Sequence, residues 1–337
     1  MAVVSLSDLQ DLMTTALVAA GTSGPNAACV AKALARAEAD GLPSHGASRT
    51  TTYADQVISG KIDGHVIPTI TRPKPGVVHV DAATGFAFPA IEQGIKAGAT
   101  AAAETGIAFV AVANSHHFGV AGHHVEDMTT HGMIGLCFGN SPAAIAPWGG
   151  GRPLYGTNPI AFACPRTNAP PLVIDLSLAK MARGKVRLAM DRGEPIPEGM
   201  AVDADGVMTT DAKAAMSGAM LPMGDAKGAS LALIVEVLAA ALTASNFGFE
   251  ATSIFEADGP PPRLGQCFMM IDPGPPSQNC FADRMEILLT AITDQPGTRL
   301  PGDRRLTLRQ TAEAEGITLP DALLHDLQSR AKKALKS

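Results

Sequence analysis

What most constrains the fold of this chain is a change of texture at Val77. From there, apolar runs of strand length at 77–81, 107–112, 133–138 and 158–164 alternate with helical stretches at 89–104 and 119–131. That alternation predicts an α/β domain around a mixed, partly parallel sheet. Upstream, 6–20 and 26–40 read as helices, because Leu9, Leu12, Met13 and Leu17, then Val30, Leu34 and Ala35, recur at helical spacing. Ser7 is a candidate N-cap. Residues 41–46 break the pattern, and a third helix over 47–58 sets Arg49 and Tyr53 on one face. Residues 172–177 read as a strand ending at a helix N-cap, 193–206 as an ordered surface loop, and 224–228 as the opening of a long apolar helix. The region 256–279 reads as loops around a strand at 267–271, and 281–294 and 305–335 return to helix. The two helical ends, 1–75 and 281–337, are expected to pack as one domain. The mixed α/β domain then spans 76–280, with a small subdomain in 185–225.

Function classes are narrowed by charge and by cysteine placement. The net charge is −6 and no block of lysines or arginines stands out, which disfavours nucleic-acid and membrane-surface roles. The cysteines (Cys29, Cys137, Cys164, Cys267 and Cys280) are odd in number and lack CxxC spacing, so neither a disulfide framework nor a zinc knuckle is expected. The opening residues, MAVVSLSDLQ, lack a basic region followed by an apolar core. The most apolar helix, at 231–242, carries Glu236 and is too short to span a bilayer. A cytoplasmic protein is expected.

Polar groups crowd most densely at 114–124, NSHHFGVAGHH, a strand-to-helix turn holding four of the nine histidines. His116 and His123 are seven apart, and His123 and His131 eight. Neither is the i, i+4 spacing of a helical metal site, and no metal is expected. Phe118-Gly119 and Ala121-Gly122 leave room for a ligand to approach the backbone. Ser44 and His45 invite a hydrolase reading, but neighbours in an extended segment point to opposite sides, and no GxSxG elbow exists. Arg49 is a candidate carboxylate clamp, weighed against a solvated helix charge. Thr157 offers a hydroxyl in a Gly-Thr-Asn-Pro turn. GxGxxG and GxxxxGK[ST] are both absent. Pattern alone stops at an α/β protein of enzymatic character whose ligand is open.

Taken together in order, SHG with Arg49 close behind, NSxHFGxAG, GTNPIAFACP, DLSxxxxARGK, PEGMAxDxDG and the KG opening a long helix resemble the malate/L-lactate dehydrogenase family with a non-Rossmann cofactor fold. NSPAAIAPWGG, residues 253–266 and residues 299–305 look most like its Δ1-piperideine-2-carboxylate/Δ1-pyrroline-2-carboxylate reductases. The resemblance implies a non-Rossmann mixed-sheet domain that binds cofactor and substrate, beside a helical domain built from both chain ends, in a homodimer. It implies NADPH, with NADH as the alternative, and reduction of a cyclic imino acid to proline or pipecolate. The alternative is oxidation of a 2-hydroxy acid of the malate, lactate, sulfolactate or ureidoglycolate type. A reading from another class is a non-catalytic carboxylate-binding protein.

By the same resemblance, Ser44 and His45 match a relay pair, His117 a catalytic histidine beside the cofactor, and Arg49 and Thr157 the substrate's carboxylate contacts. His117, Phe118, Gly119, Val120 and Ala121 match cofactor contacts, as do Asp175, Leu176 and Ser177. So do Arg299, Leu300, Pro301, Gly302, Asp303, Arg304 and Arg305, where Arg304 and Arg305 suit a 2′-phosphate. The position of the carboxylate that completes the reductases' relay stays open here: Lys185 follows Ala182-Arg183-Gly184, and Asp191 is nearby but unmatched.

Overall fold

The computed structural model describes residues 2–334; of the helix expected over 305–335 and the domain expected to 337, residues 335–337 lie outside the described residues. The chain begins with β1 (Ala2–Val4), then α1 (Leu6–Ala19), α2 (Gly24–Ala39), a 3₁₀ turn (Pro43–His45) and α3 (Ser48–Ile58). The cap of α1 is Ser5, not Ser7: Ser5 has extended backbone angles, and its Oγ accepts the Asp8 N–H. A main sheet follows, with β2 (Thr69–Lys74), β3 (Val77–Asp81), α4 (Ala87–Thr105), β4 (Ile107–Ser115), α5 (Ala121–Thr129), β5 (Ile134–Gly139), β6 (Ile160–Cys164) and β7 (Leu172–Leu176). Next come α6 (Arg183–Arg192), β8 (Ala201–Val202), β9 (Met208–Thr209), α7 (Ala212–Ser217), β10 (Ala219–Met220) and α8 (Ala226–Val235), which runs on as a π-helical turn (Glu236–Ala241). The chain closes with β11 (Leu264–Ile271), α9 (Gly274–Ser277), α10 (Phe281–Thr293), α11 (Asp303–Glu315), β12 (Ile317–Leu319) and α12 (Asp321–Ala334).

The seven-stranded sheet has the order β2-β3-β4-β11-β5-β6-β7. Only β3 and β4 pair in parallel, joined by the α4 crossover; the other neighbours are antiparallel. A doubly wound nucleotide fold needs successive parallel pairs, so this sheet is of another kind. Its centre is β11, a strand from late in the chain inserted between β4 and β5. α4 lies close on the sheet because it is rich in small residues: a Cβ on Gly98 would sit 2.5 Å from Val110 Cγ2.

The chain ends meet. β1 pairs antiparallel with β12, and one apolar cluster joins Leu9, Met13 and Leu17 of α1 to Leu34, Tyr53, Leu319 and Leu327. The mixed sheet with a helical unit drawn from both ends is therefore the observed architecture. Three local expectations need correction. The 305–335 helix is two, because Gly316, at a φ of 81°, ends α11 and β12 intervenes. Ser177 caps no helix: α6 begins only at Arg183, after Ala179 bridges to Pro222. Parts of 193–206 and 208–220 form a small sheet, β10-β8-β9, rather than a plain loop.

Candidate active site

Ser44 and His45 sit on the 3₁₀ turn, not on extended chain. That overturns the expectation that they point apart: the tight turn brings both side chains together, with Ser44 Oγ 3.0 Å from His45 Nδ1. Arg49, the second residue of α3, is buried and its Nε donates to the Ser44 carbonyl at 2.9 Å. The Phe255 ring lies 4.6 Å from its guanidinium carbon, a cation–π contact. β4 ends at Ser115 and delivers His117 opposite, its ring 5.5 Å from that of His45. Tyr53 Oη meets His117 Nδ1 at 2.6 Å. Ser44, His45, Arg49, His117 and Thr157 all line one cavity of about 740 Å³.

The electrostatics favour neutral imidazoles. Burial, then the Arg49 and His123 charges, push His45 down to about 4, although the residue is only half-buried and lines the cavity. His117 is driven well below the usual histidine range by burial, and then by Arg49 and His45. The remaining histidines of the turn do not line this cavity. Burial lowers His116 to about 3, and neither of its ring nitrogens has a partner among the described residues. His124 Nε2 meets the Phe118 carbonyl at 2.7 Å. His123 Nε2 lies 2.9 Å from Asp40, which also accepts two hydrogen bonds from Arg309. Burial opposes the Asp40 charge, but His123 and Arg309 prevail and hold the carboxyl well below the usual range. Among the described residues, no group of three or more His, Cys, Asp or Glu is arranged for a metal ion.

The chamber opens along Gly119, Val120 and Ala121 toward β7. Asp175 Oδ2 accepts the Gly122 N–H at 2.8 Å and lies 3.8 Å from Arg305 Nη1. A Cβ on Gly122 would come within 2.7 Å of that guanidinium and 2.9 Å of Asp175 Oδ2, so the missing side chain leaves room for both groups to close on the α5 N-terminus. Asp175 and Ser177 line the chamber itself, and Asp175 also borders, with Leu176, Pro301, Gly302 and Arg305, an adjoining cavity of about 280 Å³. Arg299, Leu300 and Arg304 line a further one of about 320 Å³ at the start of α11. Asp303 accepts the Leu300 N–H at 2.9 Å and so shapes that loop. Phe118 is off the chamber wall; it is buried, and its ring is stacked on His124.

Several residues that build the site carried no signal in the sequence. Lys61 is buried, with Nζ donating to the carbonyls of Ser253 (2.6 Å), Glu256 (3.0 Å) and Asp258 (3.1 Å). Gln56 Nε2 donates to Ile254 and Glu256. Together they pin the 253–258 wall that carries Phe255. Glu236, expected only as a charge on an apolar helix, is buried and accepts from Gly156 N (3.3 Å), Asn158 Nδ2 (2.9 Å) and Gly248 N (3.1 Å). It thereby fixes the turn bearing Thr157, while burial raises its carboxyl against those donors. Arg183 is tied to the Ala143 and Met216 carbonyls, and Gly184 lies beside Ser44. Lys185 is exposed at the cavity rim, and Asp191 is occupied by Arg187 at 3.1 Å. Tyr53 was legible on the Arg49 face, but not as a partner of His117.

A family profile described as malate/L-lactate dehydrogenase matches residues 4–328. The chain is 48% identical over 328 residues to a (2R)-3-sulfolactate dehydrogenase (NADP(+)) of Chromohalobacter salexigens, covering 97% of this chain and 98% of that one. It is 39% identical over 330 residues to a Δ1-pyrroline-2-carboxylate/Δ1-piperideine-2-carboxylate reductase of Pseudomonas putida, covering 96% of each. The crystal structure of a Δ1-piperideine-2-carboxylate reductase from Pseudomonas syringae pv. tomato superposes with a TM-score of 0.93 at 38% identity, covering 98% of this chain and all of that one.

Proposed function

The chain belongs to the malate/L-lactate dehydrogenase family, and on that premise we propose that it is an NADP(H)-dependent oxidoreductase acting at C2 of a small carboxylate. The observation that carries the proposal is the convergence of a buried arginine, a Ser–His pair and a second, neutral histidine on one chamber. Arg49 and Thr157 hold the carboxylate, which aligns C2 and removes much of the orientational barrier. Ser44, His45 and His117 serve the heteroatom on C2, where a proton must be supplied in reduction and removed in oxidation.

The groove from Gly119 to Arg305 fits a nicotinamide dinucleotide: Gly119, Val120 and Ala121 line it without bulky polar side chains, and Arg304 and Arg305 stand in the first turn of α11, ready for phosphate. When bound, that cofactor supplies or takes the hydride. His117 to Ala121, Asp175 to Ser177 and Arg299 to Arg305 are the contacts we assign to it, with Phe118 acting through its backbone. The two arginines favour NADPH over NADH, in line with the NADP(+) of the sulfolactate relative.

Two substrate classes share this clamp. Cyclic imino acids are supported by the reductases at 38% and 39% identity and by the structural match. A 2-hydroxy acid bearing a second anionic group, as sulfolactate does, is favoured by the relative at 48% and by the cations on the chamber. Arg183, Lys185 and Arg187 join Arg49 there. A panel decides between them: NADPH and NADH consumption with sulfopyruvate, oxaloacetate, pyruvate, Δ1-piperideine-2-carboxylate and Δ1-pyrroline-2-carboxylate. Turnover of the cyclic imines alone refutes the hydroxy acid reading, turnover of the keto acids alone refutes the imine reading, and no turnover with either cofactor leaves the binding protein.

No described helix is long and apolar enough to cross a membrane, and we place the protein in the cytoplasm, with no nucleic-acid partner. The domain division proposed is 1–75 with 281–337, and 76–280, with 185–225 as a subdomain whose apolar residues cluster around Val186, Ile196, Ala201 and Ala215. We further propose a homodimer. Leu231, Leu233, Ile234, Val237 and Leu242 leave an apolar stripe exposed along α8 and its continuation, the kind of surface a second copy covers. Sedimentation at the monomer's mass would refute it.

A further inference from the structure

We propose that Tyr53 is a positioning residue whose hydroxyl donates to His117 Nδ1 and locks that imidazole as the Nε2–H tautomer, so that His117 is a hydrogen-bond donor to the C2 heteroatom and His45 transfers the proton. The inference rests on the oxidoreductase reading above and assigns the roles within it.

Tyr53 is completely buried, its ring fixed edge-on by Phe86 at 5.6 Å and by His116 at 5.8 Å. Among the described residues, its hydroxyl has one hydrogen-bond partner, His117 Nδ1 at 2.6 Å. A phenol donates one proton and accepts at oxygen, whereas a neutral imidazole has one donor and one acceptor nitrogen. If Nδ1 carried the proton and donated, the phenolic proton would be stranded in the core without an acceptor, the arrangement buried polar groups avoid. With the phenol donating, every proton at the contact is satisfied. Burial pushes the Tyr53 phenol far above its usual range, so it stays protonated.

His117 is itself neutral, and its one proton then sits on Nε2, the nitrogen without a protein partner, in a residue that lines the chamber. Such a ring can point an N–H at an oxygen or nitrogen on C2. It cannot take up a proton there, because Nε2 is already protonated and the Nδ1 lone pair is engaged. His45 differs. Its Nδ1 faces a hydroxyl that can either donate or accept, so Ser44 can reorient as His45 gains or loses a proton. In the reductive direction C2 gains the cofactor's hydride, its π pair moves onto the heteroatom, and the proton that completes the product comes from the imidazolium form of His45, which takes that proton up from solvent beforehand and is left as the neutral imidazole. Oxidation runs the same steps backward. The His117 proton stays on Nε2 throughout and serves only to polarise.

The charged and titratable groups facing His45 are Arg49 from α3, His117 from the β4–α5 turn and His123 from α5, and a separate cavity of about 320 Å³ that His45 also lines adds Lys32 and Arg36 of α2, Glu92 of α4, His124 and Asp127 of α5 and His131 just after it. The test uses the full chain labelled with ¹⁵N-histidine, and its first readout needs no substrate. His117 should show a protonated Nε2 and an unprotonated Nδ1, and Tyr53→Phe should shift both resonances toward a mixed tautomer. A protonated Nδ1 in the wild type overturns the proposal.

The second readout is kinetic. Tyr53→Phe should lower kcat by roughly tenfold or more with KM nearly unchanged, since a donor aimed at developing charge acts in the transition state. His117→Gln, which keeps an N–H but no imidazole, should retain the pH-dependent limb of kcat/KM, and His45→Gln should lose it. The reverse pattern assigns proton transfer to His117 and overturns the proposal. Absence of turnover with the whole panel rejects the oxidoreductase reading while leaving the tautomer measured.

Discussion

Replacing Lys61 with methionine tests whether one buried ammonium holds the wall of the chamber. Its three acceptors are backbone carbonyls of 253, 256 and 258, and a hydrogen bond from a charged donor contributes about 1.5–3 kcal/mol. Taken at about 2 kcal/mol each, the three amount to roughly 6 kcal/mol gross, and about half returns in the variant because no ammonium has to be kept out of water. Burial depresses the lysine pKa, with Glu256 and Asp258 opposing, the direction that a desolvated ammonium takes. The net loss of about 3 kcal/mol falls on the 253–258 segment and raises its open population roughly 150-fold. Opening withdraws Phe255 from Arg49, a contact about 0.5–2 kcal/mol in strength. KM for the carboxylate substrate should therefore rise about tenfold while kcat changes little. Initial rates at saturating NADPH measure the first effect, and amide hydrogen exchange over 254–258 the second. A variant with wild-type KM and wild-type exchange across that segment would refute the reasoning.

Arg49→Ala should raise substrate KM by about 10- to 150-fold, the loss of a charge-assisted hydrogen bond of about 1.5–3 kcal/mol; steady-state kinetics check this, and an unchanged KM sinks the clamp. Arg304→Ala removes an exposed cation at the α11 start and should weaken NADPH by roughly tenfold with little change for NADH, measured by titrating both cofactors. Arg309→Met should lower Tm at neutral pH, and the deficit should narrow as pH falls below about 4. The sign follows from Asp40. Its folded pKa is depressed, so its stabilisation is present above the unfolded value and lost as pH falls toward the folded one. Thermal melts across that range read it, and a deficit that widens in acid contradicts the assignment.

Much of the local structure was legible in the residues themselves. Period-2 and 3.6-residue patterns report which side of one element is buried, so β3, β4, β5, β6 and α1 to α5 lie close to where their apolar spacing places them. Ser44, His45 and Thr157 stand at breaks in that pattern and Arg49 on the helix that follows one, whereas His117 was picked out of its crowded turn, and each residue given its role, by the family resemblance. Local rules failed where backbone angles depart from the regular elements: the 3₁₀ turn at Pro43–His45 brings together two side chains that an extended segment would hold apart.

What only the tertiary structure decided is which elements meet. β11 lies between β4 and β5, and β1 pairs with β12; an apolar strand announces that it needs neighbours, not which ones. Lys61 reads as a surface charge until the fold brings it to carbonyls 192 residues away. Tyr53 reads as core until His117, 64 residues later, is set against its hydroxyl. Patterning encodes burial one residue at a time through transfer from water, whereas satisfaction of a buried polar group depends on partners that only the folded chain supplies.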